Sequence, residues 1–289
     1  MGISKCTTTR ASDNFAIFNF QFSLSPMKLV VLGSGTSVPH PRRASAAFWL
    51  ETKNGSVLLD CSGDAVHRMA AENLDWPNLD AIWISHLHLD HCGGLANLLF
   101  GMKWAPQTQD RLKPLNIFGC EGMERLLKAV DESHNYELRN QHFLVHLHEI
   151  KPFAEGLGTE FEILSSVRAR TFSTPHTRES LAIRLTDATG LSVVYSSDTG
   201  YSEELGDFAE GADLLIIDCS FRRNKPVANH LELQEAMRLA SLAAPRKVLL
   251  THLYPEWDGV DIEAEAQNHW RGDVIAACDG LIIDLEVSR

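Results

Sequence analysis

The chain has 289 residues, a hydrophobic fraction of 44%, a charged fraction of 22% and a formal net charge of −12. These are ordinary globular proportions, and the acidic balance disfavours an extended nucleic-acid footprint, which needs a basic face to release counterions from phosphates. The six cysteines are scattered with no CxxC pair, which reads as reduced packing cysteine of a cytoplasmic protein, and no apolar run approaches the roughly 20 residues that cross a bilayer.

Residues 1–26 do not share the pattern of the rest and read as an N-terminal extension, either disordered or an edge strand built on the alternation of Phe18, Phe20 and Phe22. From Met27 the predicted elements alternate. A strand over 28–32 runs into Gly33-Ser34-Gly35-Thr36, and strands over 46–51 and 56–60 pair across Asn54-Gly55, a strong hairpin turn. A helix fits 63–73, a buried strand 81–85, and a further helix begins at Gly94, followed by a polar surface loop over 104–114. The stretch LVHLHEI alternates, so His146 and His148 read as the solvent face of a strand rather than as ligands. Strands follow at 167–173, 181–185 and 192–196, then a helix at 202–208 and a very apolar strand at 213–218. A helix over 230–243, a strand over 247–251, a helix over 262–270 and a strand over 281–287 close the chain. The runs SVLLDCSGD and LLIIDCSF echo each other, so two sheets with helices outside predict a four-layer αββα sandwich of the α/β (α+β) class.

Four apolar runs each lead to a metal-binding residue: AIWIS before His86, RTFSTP before His176, VVYSS before Asp198 and KVLLT before His252. The first opens His86-Leu-His88-Leu-Asp90-His91-Cys-Gly-Gly. Imidazole and carboxylate suit zinc foremost, and also manganese or iron. In an extended turn His86, His88 and Asp90 point one way and His91 the other, so one loop can feed two ions. His86 and His88 suit the first ion, completed by His176. Asp90 and His91 suit the second, completed by His252. Asp198 has two oxygens and can touch both. Two such ions about 3.5–4 Å apart lower the pKa of bound water and clamp attacking and leaving oxygens. Because ligands from both halves must meet, residues 27–289 read as one domain.

These motifs resemble the metallo-β-lactamase superfamily, and within it the ribonuclease Z-like and phosphodiesterase branch. LGSGTSVPHPRRASAAFWLE is similar to the family's glycine-rich first hairpin, and SHLHLDHCGGL to its signature loop. TPHTRESLAIRL, SSDTG and LLTHLYP resemble the later ligand motifs, and DLLIIDCSF followed by NHLELQEAMRLA resembles a strand and a histidine opening a helix. The resemblance implies the metallo-β-lactamase fold and a dinuclear metal-dependent hydrolase. It implies the ligand set just given, Asp60 as a buried support for the ligands, and His230 as the residue that assists the leaving group or phosphate. Relatives in this branch are often dimers, so the resemblance allows a homodimer, while the residues themselves do not give the oligomeric state. Only 21 residues separate His176 from Asp198, where ribonuclease Z carries a long arm that holds tRNA.

Hydrolysis of a small or cyclic phosphodiester, or of an RNA end, is therefore the leading expectation, with an anionic small-molecule substrate and no membrane partner. Asp90 would orient the nucleophile and His230 would protonate the leaving oxygen. Arg178, Arg222, Arg223 and Lys225 are candidate anion contacts, and Lys103, Trp104 and Arg111 a candidate substrate lip. The same site would also suit a lactone, thioester, β-lactam or sulfate ester. A non-catalytic metal-binding protein of this fold is the third reading.

Overall fold

Period-two alternation in the strands divides the molecule into layers. A computed structural model describes residues 27–152 and 158–287. The expected N-terminal extension, with its three alternating phenylalanines, lies outside the described residues. In β1 (Met27–Gly33) and β2 (Ala47–Thr52), Leu29, Val31, Phe48 and Leu50 turn to a core between two sheets, while Val30, Leu32, Ala47 and Trp49 turn to a second core beneath helices.

The first sheet continues through β3 (Gly55–Leu59), β4 (Ala81–Ile84), β5 (Leu115–Cys120) and β6 (Val145–Ile150). The second contains β7 (Glu160–Leu164), β8 (Val167–Ser173), β9 (Leu181–Asp187), β10 (Ser192–Tyr195), β11 (Leu214–Asp218), β12 (Lys247–Thr251) and β13 (Asp273–Ala276). The last strand, β14 (Ile282–Leu285), returns to the first sheet and pairs antiparallel with β1. The strand orders are β14-β1-β2-β3-β4-β5-β6 and β13-β12-β11-β10-β9-β8-β7. Each sheet is antiparallel at one side, then parallel from β3 through β6 or from β10 through β13. Helices α1 (Ala65–Ala71), α2 (Leu89–Cys92), α3 (Leu95–Trp104) and α4 (Met123–His134) belong to the first half. Helices α5 (Glu203–Phe208), α6 (Leu233–Ala243) and α7 (Ile262–Ala266) belong to the second. Side chains of α1, α3 and α4 fill one outer core and those of α5, α6 and α7 the other. The result is the αββα sandwich that the sequence predicts.

The echo between SVLLDCSGD and LLIIDCSF holds with an offset of one strand. The first run is β3, the second strand of a hairpin, whereas the second is β11, the parallel strand that follows a hairpin. The hairpin β9–β10 joins Leu181–Asp187 directly to Ser192–Tyr195, so no long arm stands between them.

Two expectations need correction. The extended-turn alternation ends at His88, because Leu89–Cys92 forms one helical turn. His88 is the last extended residue, with φ −65° and ψ 143°. The polar stretch after α3 is not wholly a surface loop. Arg111 is 6% exposed and donates to the carbonyls of Pro77, Leu79, Lys113 and Pro114. It staples that loop shut and is no substrate lip. Lys103 pairs with Glu137 at 3.0 Å, and Trp104 is exposed.

Candidate metal centre

The strand ends deliver the site. β4 delivers His86 from the first sheet, and β8, β10 and β12 deliver His176, Asp198 and His252 from the second. Ligand atoms of His86, His88, His176 and Asp198 lie within 4.8 Å of one another, and so do those of Asp90, His91 and His252. Asp198 joins the two groups. Its Oδ2 is 3.8 Å from His86 Nε2 and 3.6 Å from His176 Nε2. Its Oδ1 is 3.2 Å from His91 Nε2 and 3.4 Å from His252 Nε2. Asp90 Oδ2 lies 3.7 Å from His91 Nε2 and 3.5 Å from His252 Nε2. The edge of a tetrahedron with bonds of 2.0–2.1 Å is roughly 3.4 Å, so these separations suit atoms around a cation. The helical turn at Leu89 is what sends Asp90 and His91 together into the second group.

Four of the imidazoles are oriented from behind, and His88 Nδ1 instead lies 3.1 Å from His176 Nε2. His91 Nδ1 donates to Asp60 at 2.7 Å, His86 Nδ1 lies 3.0 Å from Ser85 Oγ, His252 Nδ1 lies 2.9 Å from Ser220 Oγ, and His176 Nδ1 donates to the Asn229 carbonyl at 2.8 Å. The Nε2 atoms of His86, His91 and His252 are buried and without a hydrogen-bond partner. An unpartnered buried nitrogen is costly unless something else occupies its lone pair, and a divalent ion does so. The residues present therefore fit such ions.

Asp60 is fully buried and accepts from the Ser85 backbone, Ser85 Oγ, Tyr195 Oη and His91. Tyr195 comes from the second sheet, so one carboxylate ties both sheets to a ligand. Asp218, which sequence reasoning missed as a site residue, does the same elsewhere. It accepts from His230 Nδ1 at 2.9 Å, from the Ser220 backbone and hydroxyl, and from the Thr199 backbone. Through Ser220 it also orients His252. The second Asp-Cys-Ser run was the signal that could have found it.

His230 stacks on His252 at 5.1 Å and 12°, and meets His176 at 4.7 Å. It thus reaches both histidine groups. The electrostatics are those of a site short of positive charge. Burial pushes the His86 pKa well below normal, helped by His91. Burial opposes a charge on His91, yet Asp198 and Asp60 hold it well above normal. Burial likewise opposes ionisation of Asp198, but His252 and His91 keep it well below the usual carboxylate range. Burial, then the carboxylates of Asp198, Asp90 and Asp218, pushes the Tyr254 hydroxyl up.

The expected basic contacts are not brought in. Arg222 is held by the carboxylate of Glu265, and its backbone N–H by Glu256. The Arg178 side chain is 88% exposed and faces Glu121, and Arg223 is exposed. Lys225 pairs with Glu235 at 2.6 Å and donates to the His230 carbonyl, so it supports the loop.

This fold and this site define a metallo-hydrolase of the metallo-β-lactamase fold, in its ribonuclease Z-like branch. Residues 27–271 match the family described as "Anti-Pycsar protein Apyc1", and the chain belongs to that family. It is 28% identical to the uncharacterized protein ML1173 of Mycobacterium leprae over 262 residues, covering 90% of this chain and 89% of that one. It is 29% identical to the probable metallo-hydrolase YhfI of Bacillus subtilis, covering 89% and 99%. The crystal structure of YhfI superposes with a TM-score of 0.73, at 25% identity over 90% of this chain and 99% of that chain. A ribonuclease Z of Ignicoccus hospitalis is 26% identical, covering 78% and 87%.

Proposed function

We propose that the protein hydrolyses a small or cyclic phosphodiester. The observation that carries the reading is the arrangement of one carboxylate, Asp198, between two histidine groups in which the buried Nε2 atoms of His86, His91 and His252 have no hydrogen-bond partner, with the Asp218–His230 pair against both. His86, His88, His176 and Oδ2 of Asp198 would hold one divalent ion, zinc by preference. Asp90, His91, His252 and Oδ1 of Asp198 would hold the other. Bound there, the two ions supply a nucleophile at neutral pH and neutralise charge at the phosphoryl oxygens.

The protein's own groups do the rest. Asp90 orients the nucleophile and takes its proton. Asp218 holds Nδ1 of His230, which leaves Nε2 to give a proton to the leaving oxygen. The plain β9–β10 hairpin and the net charge of −12 support a small substrate over tRNA. A relative named for ribonuclease activity supports phosphodiester chemistry.

The test is a substrate panel on one preparation whose metal content is measured. It would contain bis-p-nitrophenyl phosphate, 2′,3′-cyclic nucleotides, a lactone and nitrocefin. The expected result is turnover of the phosphodiesters with about two ions per chain. Turnover confined to the lactone or nitrocefin would reject the phosphodiester reading.

A further inference from the structure

The tyrosine of the last ligand motif is neither a ligand candidate nor a hydrogen-bonded support of one. Tyr254 follows His252 by two residues, and its ring stacks on buried Phe221 at 4.9 Å and 22°. It stands nearly perpendicular to His252 and His230, at 6.1 Å and 75° and at 6.5 Å and 74°. Its backbone is pinned on both sides. Leu253 N–H donates to the Ser34 carbonyl at 2.9 Å, and the Tyr254 carbonyl accepts from Trp257 N–H at 3.1 Å. Trp257 is in turn fixed by its indole N–H to the Cys219 carbonyl. A ring so held keeps one position beside the histidines.

Its hydroxyl has no hydrogen-bond partner among the described residues, although the side chain is half-buried beside His230 and His252. Packing against Phe221 does not need that hydroxyl; phenylalanine would stack as well without the desolvation cost. The cations expected to meet an anion are engaged or turned to solvent: Arg222 with Glu265, Lys225 with Glu235, and Arg178 exposed. With those side chains engaged elsewhere, a neutral donor beside His230 is left to help orient a phosphodiester that enters here.

We propose that the Tyr254 hydroxyl donates a hydrogen bond to a non-bridging oxygen of the substrate phosphoryl group, beside the leaving oxygen that His230 faces. This deepens the phosphodiesterase reading and rests on it.

The test uses the metal-loaded full chain with Tyr254→Phe and Tyr254→Ala. Hydrogen bonds to charged groups predict that both lower kcat/KM for bis-p-nitrophenyl phosphate by a similar factor, about 10–100-fold. Metal content and thermal midpoint of Tyr254→Phe should match wild type. Inorganic phosphate, titrated calorimetrically, should bind Tyr254→Phe about 10-fold more weakly. If Tyr254→Phe keeps wild-type kinetics and only Tyr254→Ala is impaired, the ring is mere packing and the proposal is overturned. Unchanged phosphate affinity overturns it too. A wild-type protein that cleaves no phosphodiester would reject the phosphodiesterase reading, while the phosphate titration still decides the hydroxyl's role.

Discussion

Asp60 and Asp218 show how single buried carboxylates set the chemistry of their neighbours. Each accepts several donors and fixes one imidazole tautomer. Asp60→Asn puts an amide where His91 needs an acceptor. Metal affinity should fall about 10–100-fold, read by competition with a chromophoric chelator; unchanged affinity would remove Asp60 from the site. Burial alone would lower the His230 pKa, but its hydrogen bond to Asp218 raises it above normal. A protonated His230 is needed at the leaving oxygen, so kcat/KM falls as pH climbs through that pKa. Asp218→Asn should move that alkaline limb to lower pH. His230→Ala should cut turnover by about 10²-fold or more with metal content intact. At this scale much was legible. HxHxDH and three histidine or aspartate residues placed after apolar runs name the ligand candidates directly. Ser220 was not legible, because nothing local distinguishes a hydroxyl that orients His252, 32 residues away, from one that caps a turn; Asp218 had its signal only in the second Asp-Cys-Ser run.

Strand ends make the site because the chain must turn sharply there. Asp60, Ser197 and His252 all have left-handed backbones, with φ of 58°, 54° and 59°. Each such non-glycine residue costs free energy and persists only where its surroundings impose it. The glycines after the signature loop have a different reason. Gly94 N–H donates to the Cys61 carbonyl, and a Cβ on Gly94 would lie 2.1 Å from the Ser62 carbonyl oxygen. Gly94→Ala should cost about 1–3 kcal/mol and push the His91 turn away from β3. Denaturant unfolding reads the first effect, and loss of bound metal the second. Most strands were legible since parallel strands buried on both faces read as unbroken apolar runs. Besides the α2 turn, four elements were not. The helix α4 opens at Gly122 with φ 99°, so it lacks an N-cap signal. The apolar runs of β5, β7 and β13 are interrupted, by Asn116 and Gly119, by Glu160 and Glu162, and by Asp273. Among the described residues no helix is long and apolar enough to cross a membrane.

The molecule as a whole is two sheets around one inner core, with the site at the rim where both end. The first sheet supplies His86, His88, Asp90 and His91, and the second His176, Asp198 and His252. Beyond the Asp60–Tyr195 contact, bound cations would tie the sheets together. Removing them takes away the bonds that join ligands of the first sheet to ligands of the second. Chelation should therefore lower the thermal midpoint, and zinc should restore it in a concentration-dependent way, since a ligand that binds only the folded state stabilises by mass action. The layered architecture was readable from the sequence because each half repeats strand, hairpin and helix. Which strand of one half corresponds to which of the other was not, since the shared Asp-Cys-Ser run sits one strand out of step.

The most direct measurement is anomalous diffraction at the zinc edge from crystals grown with zinc. Two peaks about 3.5–4 Å apart are expected, one beside His86, His88 and His176, the other beside Asp90, His91 and His252, with Asp198 between them. A single peak, or peaks away from Asp198, would contradict the dinuclear centre on which the function rests.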